Sequence, residues 1–346
     1  MKTTLRIGLI GAGANTREKH IPGLLAQPDV ELVAVCNRSR ESSERVAREF
    51  GIGRVAAHWR EIIAAPDIDA VVIGTWPYLH AELSIAALRA GKHVLTEARM
   101  ARDANEARAM LAAARAHPLL VAQIVPAPFT LPFDATVLEW LDEEKLGRVL
   151  EVHAMCTHGR LADSRAAFGW RQDFELSGRN TLFLGIYYEM VRRWMRRDPE
   201  SVLADAAVFH RERRDEQGRV REVKIPESVT VLGRYADGAR LVLHCSGVET
   251  SGARNEIRVN GTAGGLRADF AANELWFAPR GGAEERVTID PAKRGEWRVE
   301  ADFVASIRDG APVRLTDFAT GVRYMAFTDA VWDSWQRGGA RVAVAG

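Results

Sequence analysis

Arg6-Ile7-Gly8-Leu9-Ile10-Gly11-Ala12-Gly13-Ala14-Asn15-Thr16 decides how this 346-residue chain folds. The apolar run Ile7–Ile10 reads as a short buried strand that ends at Gly11, and a helical pattern begins a few residues on. A Gly-x-Gly between strand and helix lets the backbone turn tightly. It also lets a pyrophosphate approach the main chain without a Cβ in the way, with helix amides pointing at its charge. Gly11, Gly13, Ala14, Asn15 and Thr16 are therefore candidate cofactor contacts. Thr16 stands where the usual third glycine, which serves helix–strand packing, would be. The competing reading is a tight turn of no special purpose in an α/β protein.

Composition sets wide bounds. The length suggests two domains, and a formal net charge of +1 gives no global field for nucleic acid or an anionic membrane. Three scattered cysteines, Cys36, Cys156 and Cys245, have no metal-ligand spacing and read as reduced thiols. With no secretory signal and no transmembrane run in the sequence, a cytoplasmic location is expected.

Outward from the glycine turn, Arg17–Ala26 reads as a helix and Glu31–Cys36 as a second buried strand, which makes one βαβ unit. After that strand a dinucleotide fold chooses its cofactor. An acidic residue there would bond the adenosine ribose, but Asn37-Arg38-Ser39-Arg40 follows. A guanidinium and a hydroxyl suit a 2′-phosphate, so Arg38 and Ser39 favour NADP over NAD; the alternative is that Arg38 is an exposed loop cation. Helix Glu41–Phe50, strand Ala70–Ile73, helix Ala81–Ala90, strand His93–Thr96, helix Ala104–Ala116 and strand Leu119–Gln123 continue the alternation. Gly11, Asn37, Gly74, Glu97 and Gln123 all fall at strand carboxyl ends, where such sheets bind ligands, and are expected to line one crevice.

The texture changes at Val125–Pro132, which carries three prolines. The expected organisation is an α/β Rossmann domain over 1–125 and an α+β domain with an open-faced, mostly antiparallel sheet over 126–346. Its strands are expected at Val149–Thr157, Val202–Arg211, Ser228–Tyr235, Arg240–Gly247, Asn255–Asn260 and Glu274–Ala278, with Asp237-Gly238 as a hairpin turn. A helix is expected over Asn180–Arg197, and the closing helices within 296–336 are expected to return to the first domain.

With these residues placed, the chain resembles the glucose-fructose oxidoreductase, inositol dehydrogenase and MocA-like family over nearly its whole length. The matching residues are Gly11-x-Gly13, Thr75-x-Pro77-x-x-His80, Gly91-Lys92-His93-Val94-Leu95-x-Glu97, Trp170-Arg171 and Gly185-Ile186. The resemblance implies a nicotinamide cofactor between a nucleotide-binding domain and an open-faced sheet domain, and homodimers or homotetramers built on the sheet. It adds Thr75, Trp76, His80, Glu97 and Gln123 to the candidate cofactor-binding residues. Three family features are replaced. The usual Glu-Lys-Pro is Glu97-Ala98-Arg99, so its lysine is an alanine. The usual Asp and His, four residues apart, fall on Phe183 and Tyr187.

Hydride chemistry still needs a group to handle the proton on oxygen or nitrogen. Tyr187 is the candidate proton donor, with Arg99 as electrostatic partner and Glu97 and Arg171 as supporting catalytic residues. A guanidinium beside Tyr187 would also favour its phenolate. The other reading is that Tyr187 and Tyr188 wall a pocket as aromatic packing. His20, His153 and His158 lack partners at ligand spacing, so no metal is expected. Trp76, Tyr78, Phe129, Phe168, Trp170, Phe183, Tyr187 and Tyr188 suggest an aromatic crevice for a small substrate, sugar-derived or aromatic/cyclic, bulkier and less hydroxylated than a simple polyol. The expected activity is NADP(H)-dependent oxidation or reduction at a carbonyl, hydroxyl or imine. The alternatives are a redox-neutral lyase or isomerase with bound nicotinamide, and a non-catalytic cofactor-binding regulator.

Overall fold

The computed structural model describes residues 4–345. They form two compact units: one runs to Pro126 and takes up Arg298–Val322 again, and the other comprises Ala127–Trp297 with the chain from Arg323 onward. Of the closing stretch 296–336, the first unit thus holds only Arg298–Val322.

The first unit is built on six strands: β1 (Leu5–Ile10), β2 (Val30–Cys36), β3 (Arg54–Val55), β4 (Ala70–Ile73), β5 (His93–Thr96) and β6 (Ala122–Ile124). They are ordered β3-β2-β1-β4-β5-β6, and every pair is parallel. Ile7, Leu9, Ala70, Val71, Val72, Ile73, Val94 and Leu95 are all essentially inaccessible, as expected of central parallel strands covered on both faces by helices. The helices are α1 (Ile21–Leu25), α2 (Arg40–Phe50), α3 (Trp59–Ala64), α4 (Pro77–Arg89) and α5 (Ala104–Ala116). Strand order reverses between β1 and β4, which creates the crevice in which doubly wound sheets bind ligands.

Two expectations in this unit shift. The helix expected over Arg17–Ala26 is a wide π turn over Thr16–His20, in which Ile21 N–H reaches Thr16 O, followed by α1 with Pro22 in its first turn. Pro22 has no N–H to continue an ordinary helical ladder upstream. The strand expected from Leu119 begins only at Ala122, because Leu120 N–H closes a turn onto His117 O.

The second unit contains α6 (Asp134–Asp142), β7 (Val149–Thr157), α7 (Phe174–Ser177), α8 (Leu184–Met195), β8 (Ser201–Ala207), β9 (Glu212–Arg214), β10 (Val220–Glu222), β11 (Ser228–Arg234), β12 (Arg240–Ser246), β13 (Asn255–Gly261), β14 (Gly264–Asp269), β15 (Glu274–Pro279) and β16 (Glu285–Arg286). After α9 (Val299–Asp309), which belongs to the first unit, α10 (Phe318–Gln336) and β17 (Val342–Ala343) follow. Nine strands form one sheet, β16-β15-β14-β13-β7-β12-β11-β8-β17, in which only β7 and β12 run parallel. Val152, Ala154, Val229, Val231, Leu241, Leu243, Ile257 and Val259 are buried on one face, and α8 packs against β7 and β12. This is the mixed, mostly antiparallel sheet that the alternating pattern predicts.

Helix α8 is shorter than the expected Asn180–Arg197 because Leu182 and Arg196, with φ of 47° and 54°, lie in the left-handed region and bracket it. The expected strand Val202–Arg211 stops at Ala207, and Glu212–Arg214 pairs separately with β10. Sequence reading missed β14, whose Gly264-Gly265 start looks like a loop.

Candidate active site

At the β1/β4 switch point the first unit encloses a cavity of about 510 Å3, walled by Gly11, Ala12 and Gly13, by Asn37, Arg38 and Ser39, and by Gly74, Thr75 and Trp76. Its floor is held by backbone hydrogen bonds. Gly11 N–H donates to Cys36 O, and Gly74 N–H to Ile10 O, both at 2.8 Å. Asn37 Oδ1 accepts from Ala12 N–H at 2.6 Å, which ties the end of β2 to the glycine turn.

The first helical bond beyond the turn runs from Arg17 N–H to Gly13 O, so the amides at the start of the turn have no intrahelical acceptor and suit an anion. A Cβ built on Gly13 would meet only Gly74 O, at 3.9 Å. Gly13 therefore has room on the protein side, and the side chain it lacks would occupy cavity space. This cradle fits the pyrophosphate of a dinucleotide. Thr16 plays a different part. It is buried, and its hydroxyl donates to Gly11 O at 3.3 Å, so it closes the turn from within.

The far end of the cavity carries no acidic residue. Arg38 lies over the Trp76 ring at 5.5 Å from its centroid, and Ser39 caps α2 by accepting from Ser42 N–H at 3.2 Å. Ser42, Arg45, His58 and Trp59 also line the cavity. Sequence reading missed these four. Ser42 and Arg45 lie one helical turn apart on α2, a spacing that puts both on one face of the helix.

Glu97, Gln123 and His80 are not among the residues walling this cavity. Gln123 is buried, and its side-chain amide donates to Val299 O at 3.1 Å. His80 lies inside α4, in the turn after Trp76 and Pro77. Its ring nitrogens face Arg99 O and Thr75 O, each at 2.9 Å, and burial lowers its pKa. Arg99 is buried and follows a cis peptide at Ala98.

Glu97 belongs to a cluster that sequence spacing did not reveal. Its Oε1 accepts from Asn15 Nδ2 at 2.5 Å and lies 3.0 Å from His20 Nε2. His20 Nδ1 is 2.5 Å from Glu300 Oε1. Burial alone would lower the His20 pKa, but its hydrogen bonds to Glu300 and Glu97 and their charges outweigh it and raise the value to about 9. Burial pushes Glu97 the other way, yet the His20 hydrogen bond and charge hold its carboxyl below the usual range.

The second unit has its own cavity, of about 270 Å3, lined by Phe129, Phe183, Tyr187, Phe270, Cys156, His158, Arg160 and Asn255. Tyr187 O–H donates to Asn255 Oδ1 at 3.2 Å, and Phe129 and Phe270 stand 6.1 and 5.8 Å from its ring. The pKa of Tyr187 moves opposite to an arginine-assisted phenolate: burial, then the neighbouring Cys156, drives it far upward, so the group is a neutral phenol. Arg171 stacks over Trp170 at 4.2 Å and faces Phe183 at 5.8 Å. Tyr188, expected in the pocket wall, is instead core: it stacks on Phe327 at 3.5 Å and donates to Asp198 at 2.5 Å. Trp76 and Tyr78 line the first cavity and Phe129, Phe183 and Tyr187 the second.

Among the described residues no cluster of three or more His, Cys, Asp or Glu side chains could hold a metal ion. No helix among them is long and apolar enough to cross a membrane.

A dinucleotide-type fold with a glycine cradle at its switch point, joined to a mixed-sheet unit with an aromatic cavity, defines a class of nicotinamide-dependent oxidoreductases. The chain belongs to the GFO/IDH/MocA oxidoreductase family: residues 5–124 match its NAD-binding Rossmann fold and residues 135–267 its C-terminal domain. It is 26% identical to levoglucosan dehydrogenase of Pseudarthrobacter phenanthrenivorans, covering 95% of this chain and 96% of the relative. It is 29% identical to dTDP-3,4-didehydro-2,6-dideoxy-alpha-D-glucose 3-reductase of Streptomyces antibioticus, covering 90% and 91%. The solved structure of a levoglucosan dehydrogenase in complex with NADH and levoglucosan has the same fold, with a TM-score of 0.88 at 24% identity over 99% of this chain and 100% of that one.

Proposed function

We propose that the protein is an NADP(H)-dependent oxidoreductase that interconverts a hydroxyl and a carbonyl on a small cyclic, sugar-derived substrate. The observation that carries the cofactor preference is the absence of a carboxylate at the end of β2, where Arg38, Ser39, Ser42 and Arg45 line the cavity instead. Two guanidiniums and two hydroxyls match a 2′-phosphate, and none of them replaces the carboxylate that would hold an unphosphorylated ribose. Gly11, Gly13, Ala14, Asn15, Thr75 and Trp76 complete the nucleotide site in this reading. The cofactor supplies the hydride chemistry.

The substrate class rests on the second cavity and on the relatives. Levoglucosan dehydrogenase and a dideoxyglucose reductase act on sugar-derived rings by their names, and the aromatic walls from Phe129, Phe183 and Phe270 offer stacking faces to such a ring. Tyr187 acts as donor, not base. Its neutral hydroxyl, which donates its one proton to Asn255 Oδ1 in this structure, leaves that acceptor and turns the same proton to the oxygen that gains charge during reduction. The proposed assembly is a homodimer or homotetramer. On the outer face of the sheet His153, Val242, Leu232 and Leu203 lie in register across four strands and are only half-buried, a row a second copy would cover.

Titration with NADPH and with NADH, followed by tryptophan quenching, tests the cofactor assignment. NADPH binding at least tenfold tighter than NADH supports it; equal affinity or an NADH preference overturns it.

A further inference from the structure

The His20 cluster joins three stretches far apart in sequence, all within the first unit. His20 ends the π turn that follows the glycine loop, Glu97 follows β5, and Glu300 sits in the first turn of α9. Both ring nitrogens of His20 face carboxylate oxygens, at 2.5 and 3.0 Å, and the imidazole is fully buried. Only an imidazolium donates from both nitrogens to both carboxylates; a neutral ring protonated at Nδ1 would set its Nε2 lone pair against Glu97 Oε1 at 3.0 Å, with Asn15 Nδ2 farther off at 3.4 Å. The backbone makes room for this contact. A Cβ on Gly23 would lie 2.6 Å from Glu300 Oε2, so a larger residue on α1 would push the carboxylate away.

The cluster reaches the glycine loop through Glu97. The Glu97 oxygen that faces His20 also accepts from Asn15 Nδ2, and its other oxygen accepts from Ala98 N–H at 3.1 Å. Asn15 is the second residue after Gly13. Taking the nicotinamide-nucleotide site of the proposed function as given, we propose that His20 is a positioning residue: clamped between Glu97 and Glu300, it holds Glu97, and through it Asn15, in the arrangement that receives the dinucleotide.

Glu97 from the end of β5 and Glu300 from α9 face His20 and act on its charge. His80 of α4 also acts on the charge of Glu97. On the turn itself, Arg17 points to Glu49 of α2, at 2.7 Å. With the His20 pKa near 9, the clamp is intact through neutral pH and is lost as the ring deprotonates above it. Nucleotide affinity follows the same curve.

The test combines two readouts on the full-length protein. The first is 15N NMR of the histidine side chains, assigned by comparison with His20→Gln. His20 should show both ring nitrogens protonated at pH 7.5 and titrate near pH 9. A neutral ring at pH 7.5 overturns the proposal. The second is the Kd for NADPH at pH 7.5 and pH 10, for wild type, Glu300→Gln, His20→Gln and Asn15→Ala. Wild type should weaken about tenfold or more at pH 10. Glu300→Gln should bring that loss to lower pH, His20→Gln should be weak at both, and Asn15→Ala, an exposed position that leaves folding unchanged, should weaken several-fold. Wild-type binding that does not change with pH, together with an unaffected Asn15→Ala variant, overturns this inference and leaves the nucleotide site standing. Wild type that binds neither NADPH nor NADH at pH 7.5 overturns the nucleotide reading and this inference with it.

Discussion

Gly74 presses against Gly11: a Cβ on Gly74 would fall inside contact distance of the Gly11 carbonyl oxygen and of Thr16 Oγ1. The obstacle is backbone, which cannot swing aside. Gly74→Ala is therefore expected to destabilise the protein by about 1–3 kcal/mol through overpacking and to disturb the cradle. Gly13→Ala should behave oppositely, since its nearest obstacle is Gly74 O at 3.9 Å. It should fold with near wild-type thermal stability and lose dinucleotide affinity at least tenfold. Thermal unfolding and NADPH titration on the two variants separate the roles; equal nucleotide affinity in Gly13→Ala and wild type would refute the cradle.

The contrast also marks what the sequence made legible. Parallel strands buried on both faces, such as Ala70–Ile73, declare themselves as continuous apolar runs, and the alternation in Val149–Thr157 and Arg240–Ser246 announces a sheet with two different faces. Gly11 and Gly13 were legible because their turn is local. His20 was not, because its partners lie 77 and 280 positions away and only the tertiary fold brings them together. Ser42 and Arg45 were hidden for another reason. On a helix as polar as α2, residues facing a cavity cannot be told from residues facing water.

Arg38 and Arg45 are expected to discriminate between the two dinucleotides. Removing a guanidinium from a phosphate contact costs roughly 1.5–3 kcal/mol, the range for a hydrogen bond to a charged group. Arg38→Ala should thus weaken NADPH about tenfold to a hundredfold and leave NADH nearly unchanged, and Arg38→Ala with Arg45→Ala should abolish any preference. Because the Arg38 guanidinium also covers Trp76, Arg38→Lys should recover only part of the loss. A double variant that still prefers NADPH would place the selectivity elsewhere.

His20 links pH to stability with a definite sign. Its folded pKa, about 9, lies above the unfolded value near 6.5. The clamp therefore contributes fully below about pH 6.5 and is lost as pH rises toward and through 9. The contribution is on the order of 3 kcal/mol. Urea midpoints measured from pH 6 to pH 10 should fall across that window in wild type. In His20→Gln they should start lower and fall less. Parallel curves for the two proteins would show that the ring is not the titrating group.

In the proposed function Tyr187 is the proton donor. By the resemblance the residue falls at the position of the family's usual histidine, and its hydroxyl donates to Asn255 at 3.2 Å in a cavity that Phe129, Phe183 and Phe270 also line. A phenol kept neutral by burial donates a hydrogen bond throughout the accessible pH range, so a reduction assisted by it should lack an acidic or basic limb assignable to this group. Tyr187→Phe should lower kcat about a hundredfold or more, within the range general acid catalysis supplies, with little change in the Kd for NADPH. Asn255→Ala, which only releases the hydroxyl, should cost less than Tyr187→Phe. A packing role predicts the reverse pattern: Tyr187→Phe keeps the ring and would retain full turnover. Comparing kcat and Kd for these two variants against a panel of sugar-derived alcohols and ketones therefore separates a proton donor from an aromatic wall.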